Sequence, residues 1–164
     1  MLDTILVHAF RFVMYVLFGL TLETVFAVDG IDRALGFPVH RRVPKKYLEG
    51  FVSLYMIPLH GFGLLFLFEP VSRWVAPWPF YLRYVVYAVL ISLAEVAWGW
   101  ILDKTVGFYS WDYYADSRYK VFKRGYTLWT LVPLWGIAGM IIEQYTRLMI
   151  ALSPHAVAYF HRIG

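Results

Sequence analysis

Two glutamates, Glu23 and Glu95, lie inside long apolar runs of this chain. A charged side chain at the centre of a bilayer costs about 2.5–3.5 kcal/mol on insertion scales, so such residues usually face a protein interior and pair there. Two carboxyls brought together in a poorly solvated place share protons as a unit rather than titrating separately. A pair of that kind suits proton coupling, the holding of a cation, or general-acid chemistry. It suits equally a structural role, with two neutral carboxyls hydrogen-bonding their helices together.

Other ionisable groups are arranged around this pair. Arg11 and Arg83 each precede a glutamate by 12 residues, roughly 18 Å along a helix. They are therefore expected in the opposite leaflet, pairing with Glu143 or Glu69 in an outer charge layer or snorkelling alone to the interface. Glu143 and Arg147 stand at i, i+4 in the favourable order, which predicts a local ion pair. His60 follows Pro58 and precedes Gly61. At such a break a histidine can relay protons or bind a ligand, or it can be a hydrogen-bonded core group. The five histidines show no metal spacing and there is no cysteine, so no metal and no cofactor is expected.

Long apolar segments must position these groups. The apolar fraction is 60% and the charged fraction 16%, against about 45–50% and 25% in an ordinary soluble domain. Four stretches, at about 4–28, 50–68, 80–102 and 126–152, meet the roughly 20 apolar residues that a helical span needs. Gly19, Gly99, Gly136 and Gly139 are expected to let these helices pack closely. A tail, 153–164, carries Val157, Tyr159 and Phe160 beside His161 and Arg162, a pattern suited to the membrane interface.

The segments repeat. Arg11-Phe12-Val13-Met14-Tyr15 with Glu23 matches Arg83-Tyr84-Val85-Val86-Tyr87 with Glu95 at a constant offset of 72 residues. Further on, Pro58-Leu59-His60-Gly61 matches Pro133-Leu134-Trp135-Gly136. Each repeat, 1–70 and 73–152, reads as a helical hairpin. Two spans return the chain to its starting side, so the hairpins share one topology about an axis along the membrane normal. The expected fold is all-α: a single membrane domain, a four-helix bundle of two parallel-repeat hairpins with a short C-terminal interfacial segment.

Charge orients it. Arg33, Arg41, Arg42, Lys45 and Lys46 lie between the first two spans, and Lys104, Arg118, Lys120, Lys123 and Arg124 between the last two. The positive-inside rule then makes loops 29–49 and 103–125 cytoplasmic, with both termini outside, in a bacterial inner membrane. These basic residues are explained by membrane orientation, so nucleic acid is not expected as a partner. The second loop also holds Trp111-Asp112-Tyr113. This motif can anchor at headgroup level, or recognise a lipid headgroup whose phosphate the nearby basic residues take.

A longer arrangement runs from Ala94-Glu95 through Gly99 to Phe108-Tyr109-Ser110-Trp111-Asp112-Tyr113, then to Pro133-Leu134-Trp135-Gly136 and Glu143-Gln144. Together with Gly19 and Glu23, it resembles the transmembrane protein 229 family, grouped with bacterial proteins labelled putative ABC-transporter type IV permeases. The resemblance covers most of the chain and is best from 83 to 147. It implies a small multi-pass fold of permease character. Where that family has serine after the tryptophan-aspartate-tyrosine motif, this chain has Tyr114, and a basic run follows.

Three functions fit these observations. One is a transporter-like or accessory permease-type subunit handling a small or amphipathic molecule, with Glu23 and Glu95 as its coupling site. Another is an intramembrane enzyme acting on a lipid or isoprenoid through the paired glutamates. The third is a non-catalytic assembly subunit. The chain has no phosphate-binding Gly-rich loop ending in Lys-Ser/Thr, so ATP hydrolysis would have to come from another chain. Membrane lipids, a second copy or another membrane subunit are the expected partners.

Overall fold

The first apolar run forms α1, Leu2–Leu35, which at 1.5 Å per residue is about 50 Å long. Past its apolar part it is held by the burial of Ile31, Ala34 and Leu35, and Asp29 and Arg33 pair there at i, i+4, 2.5 Å apart. It stops at Gly36, whose φ of +82° favours a residue without Cβ and directs its N–H to Asp32 O at 3.0 Å. α3, Phe80–Thr105, ends the same way. Gly107 has φ +89° and donates to Leu102 O at 3.2 Å. The structure is a computed structural model and describes residues 2–40 and 42–163, apart from the side chains of Lys45 and Ile163. Arg41 of the first basic loop and Gly164 of the tail lie outside the described residues.

The second span differs from its expected bounds. Residues 50–53 are not helical, and the span covers Leu54–Val75. It begins as a short 3-10 turn, Leu54–Met56, continues as a π-helix over Leu59–Phe68, and finishes as α2, Glu69–Val75. Pro58 precedes the π segment instead of kinking mid-span. Pro70 stands in the first turn of α2, where a missing N–H is tolerated. The wide turns still pair backbone groups within the segment, which lipid requires.

α4 runs over Val132–Ile163, starting later than expected because Pro133 fits only a first turn. Residues 126–131 are instead a folded-in part of the second loop, with Leu128 and Leu131 fully buried. The tail continues α4 as helix, with Pro154 inside it. Leu2–Leu35, Leu54–Val75 and Phe80–Thr105 are long and apolar enough to cross a membrane. α4 is long enough, but its polar stretch Glu143-Gln144-Tyr145-Thr146-Arg147 makes it less apolar. Among the described residues there is no β-strand.

α1 packs on the π segment and on α4, and α3 packs on α4. Close approach is made at glycines. A Cβ on Gly61 would come within 2.1 Å of the Phe12 ring, and one on Gly136 within 2.4 Å of the Tyr84 ring. Hydroxyls inside the spans bond back to the preceding turn, as from Thr24 to Leu20 O and Ser92 to Ala88 O, each at 2.7 Å. His161 Nε2 lies 2.9 Å from Asp3 Oδ1, so the two ends of the chain meet. The loops meet at the other end, where Phe51 and Tyr113 stack edge-on. One buried cluster surrounds Leu35, Trp111 and Leu128 at the loop end. A second surrounds Tyr15, Phe68 and Tyr87 toward the chain termini.

Candidate functional site

Between those clusters lies a cavity of about 350 Å³. Glu23 reaches it from α1 and Glu95 from α3. His60 also lines it, with Nε2 3.1 Å from Glu23 Oε1 but off hydrogen-bonding geometry. The imidazole fits because residue 19 is glycine: a Cβ there would stand 2.3 Å from the ring. Glu95 is better held. Its Oε2 accepts Thr127 Oγ1 at 2.5 Å and Trp135 Nε1 at 3.1 Å. Glu95 is buried, whereas the Glu23 side chain keeps 29% of its surface exposed. The two carboxyls therefore share one chamber, but each has a separate ring partner on the second helix of its own hairpin.

The second loop closes the chamber. Gly99, one turn past Glu95, lets Trp111 lie against α3 at 3.1 Å from where a Cβ would be. Trp111 Nε1 donates to Tyr126 O at 2.9 Å. Trp111 and Tyr113 line the cavity, while Asp112 is exposed and caps no helix through its side chain. The motif is thus divided: its rings face the chamber and its acid faces solvent. Burial, with Glu23 and Glu95 nearby, pushes the Tyr113 phenol well above its ordinary range, and burial with Glu95 nearby does the same for Tyr114. Both therefore stay neutral hydroxyls. Ser117 Oγ donates to Leu35 O at 2.8 Å and Thr130 Oγ1 to Ala34 O at 2.6 Å, so the loop is tied to the last carbonyls of α1. On the side, exposed Leu67, Ile137 and Ile141 form the cavity's rim.

The arginines stand apart from this chamber. Arg11 Nη1 donates to Glu69 Oε2 at 2.9 Å, Tyr15 OH donates to Glu69 Oε1 at 2.6 Å, and Arg73 lies 3.5 Å from the same carboxylate. Arg83 forks onto both oxygens of Glu143, at 2.6 Å to Oε2, and Arg147 joins from the next turn of α4. Ser72 and Thr146 repeat one back-bond, each donating at 3.0 Å to the carbonyl of its glutamate. Glu69 and Glu143 are almost wholly buried. Two guanidiniums on each compensate the desolvation of its carboxylate.

Sequence reasoning missed Tyr114 and Ser110 as cavity groups and Thr127 as a partner of Glu95, and treated Trp135 only as the counterpart of His60 and as part of the family arrangement. That equivalence was the available signal for Trp135. Nothing in a loop's composition singles out Thr127.

No curated protein and no solved structure matches the chain. The family described as Putative ABC-transporter type IV matches it over residues 10–161, which takes in all four helices, both glutamate pairs and the closing loop. This integral membrane protein therefore belongs to the Putative ABC-transporter type IV family.

Proposed function

We propose that this protein is a permease-type membrane subunit that admits a small or amphipathic molecule from the bilayer, with Glu23 and Glu95 as the groups that meet its polar part. The observation that carries this reading is the single cavity lined by both carboxyls and rimmed by side chains exposed at the protein's flank. Binding pockets are mostly apolar with a few placed polar groups, and this one has that character. Proteoliposomes under an imposed pH gradient, offered a panel of small amphipathic molecules, test it. Flux with the wild-type chain that Glu23→Gln/Glu95→Gln abolishes is the expected result. Equal flux in the double variant removes the mechanism.

On this reading the chain is one membrane domain of two equivalent hairpins, 1–70 and 73–152. Support comes from matched contacts: a ring nitrogen approaches each cavity glutamate, and an arginine binds each glutamate of the other layer. On the same reading loops 29–49 and 103–125 are cytoplasmic and the termini outside, in a bacterial inner membrane; the basic residues of both loops support that orientation. Kinship with the transmembrane protein 229 family rests on the Glu95, Trp111-Asp112-Tyr113 and Trp135-Gly136 arrangement. If transport is ATP-driven, a partner subunit supplies the ATPase. A second copy or another membrane subunit completes the path.

A further inference from the structure

The walls of the chamber are more selective than its size. Ring systems from several parts of the chain face it, among them Phe18 and Phe26 of α1, Trp111, Tyr113 and Tyr114 of the loop, and Trp135 of α4. Its acidic groups are Glu23 and Glu95, and among the described residues no lysine or arginine lines it. Arg11 and Arg73 are committed to Glu69, and Arg83 and Arg147 to Glu143. His60 is the one basic side chain on the wall.

Aromatic faces carry negative quadrupole charge and attract cations, most strongly where water is excluded; cages of such rings are how quaternary ammonium groups are held. A carboxylate in the same poorly solvated place needs a positive partner or a proton. The phenols of Tyr113 and Tyr114 stay un-ionised, so they act as ring faces and hydroxyls. Thr127 and Trp135 fix Glu95 Oε2 by donating to it. Ser110 Oγ is buried on the cavity wall and makes no hydrogen bond within the protein, so it can accept one from a protonated amine.

We infer that the cavity binds an organic cation, an apolar or aromatic body bearing one positively charged nitrogen. The nitrogen sits near Glu23 and Glu95, and the body lies among the rings. This deepens the permease reading and rests on it, because it requires the cavity to be a binding chamber.

The test uses the full chain in nanodiscs of neutral lipid and two probes of one shape: benzyltrimethylammonium and its uncharged carbon isostere, neopentylbenzene. Binding is read from the fluorescence of tryptophans in the wall, corrected for partition into protein-free nanodiscs. The cation is expected to bind about tenfold more tightly than the isostere. Glu23→Gln is expected to remove about that factor for the cation and leave the isostere unchanged. Glutamine keeps the side chain's size, and a thermal melt checks that the variant is folded. The wild-type comparison of the two probes needs no variant. Equal binding of both probes, or a cation affinity indifferent to Glu23→Gln, overturns the cation assignment and leaves the chamber standing. If neither probe binds, both the assignment and the chamber fall.

Discussion

At the residue scale, the most constrained side chains are the carboxylates of Glu69 and Glu143, each buried with two arginines. The partners are unequal. The Arg11 side chain is 9% exposed and that of Arg73 67%. Removing the buried member leaves an under-compensated charge, whereas removing the exposed one disturbs a solvated pair. Arg11→Leu is expected to cost about 3–5 kcal/mol and Arg73→Ala about 0–1 kcal/mol. Unfolding in mild detergent measures both, and equal losses would contradict the arrangement. Candidate residues were legible in the sequence because a charge within an apolar run is conspicuous. Which partner each would take was not, since Arg11 and Glu69 come together only when the hairpin closes. Thr127 shows the deeper limit. It reads as an ordinary loop residue, and reaches Glu95 only because Pro133 delays α4 and lets the preceding residues fold inward.

At the element scale, the π-helix has an account in the repeat. His60 and Trp135 occupy matched places, as do Glu69 and Glu143. The first hairpin has one residue more between those marks than the second. The wider turns of Leu59–Phe68 take up that residue and keep both ends in register. The difference can be tested by deletion. Removing Gly63 gives the first hairpin the spacing of the second and is expected to cost about 1–2 kcal/mol. Removing Ala138 from the second hairpin, which has no residue to spare, is expected to abolish the folded monomer on size exclusion. Similar damage from both deletions would sink this account. Helix positions were legible from apolar length; helix ends were less so. Apolar length does not anticipate the burial of Ile31, Ala34 and Leu35 that carries α1 on to its end, or the change of helix type that carries the second span on to Val75.

At the scale of the whole molecule, the chain ends converge at Asp3 and His161, and both long loops gather at the other end. The all-α architecture was legible because lipid admits so few alternatives. The way the second loop closes on the cavity was not, because it depends on contacts far apart in the chain. The chain has no cysteine, so introduced thiols report without background. Asp3→Cys is expected to react with a membrane-impermeant maleimide from outside intact cells, and Lys123→Cys only after the membrane is opened. Reaction of both from one side would refute the paired-hairpin topology.

The ties of Ser117 and Thr130 to the end of α1 give the chamber two unlike doors. On the permease reading, a molecule arriving from the lipid passes the exposed aliphatic side chains of Leu67, Ile137 and Ile141 and breaks no bond. On the same reading, one leaving toward the loops must first lift a segment held down by two hydroxyls and by edge-on ring contacts. Loading from the flank is then expected to be faster than release toward the loops, because only the second route has to lift that segment.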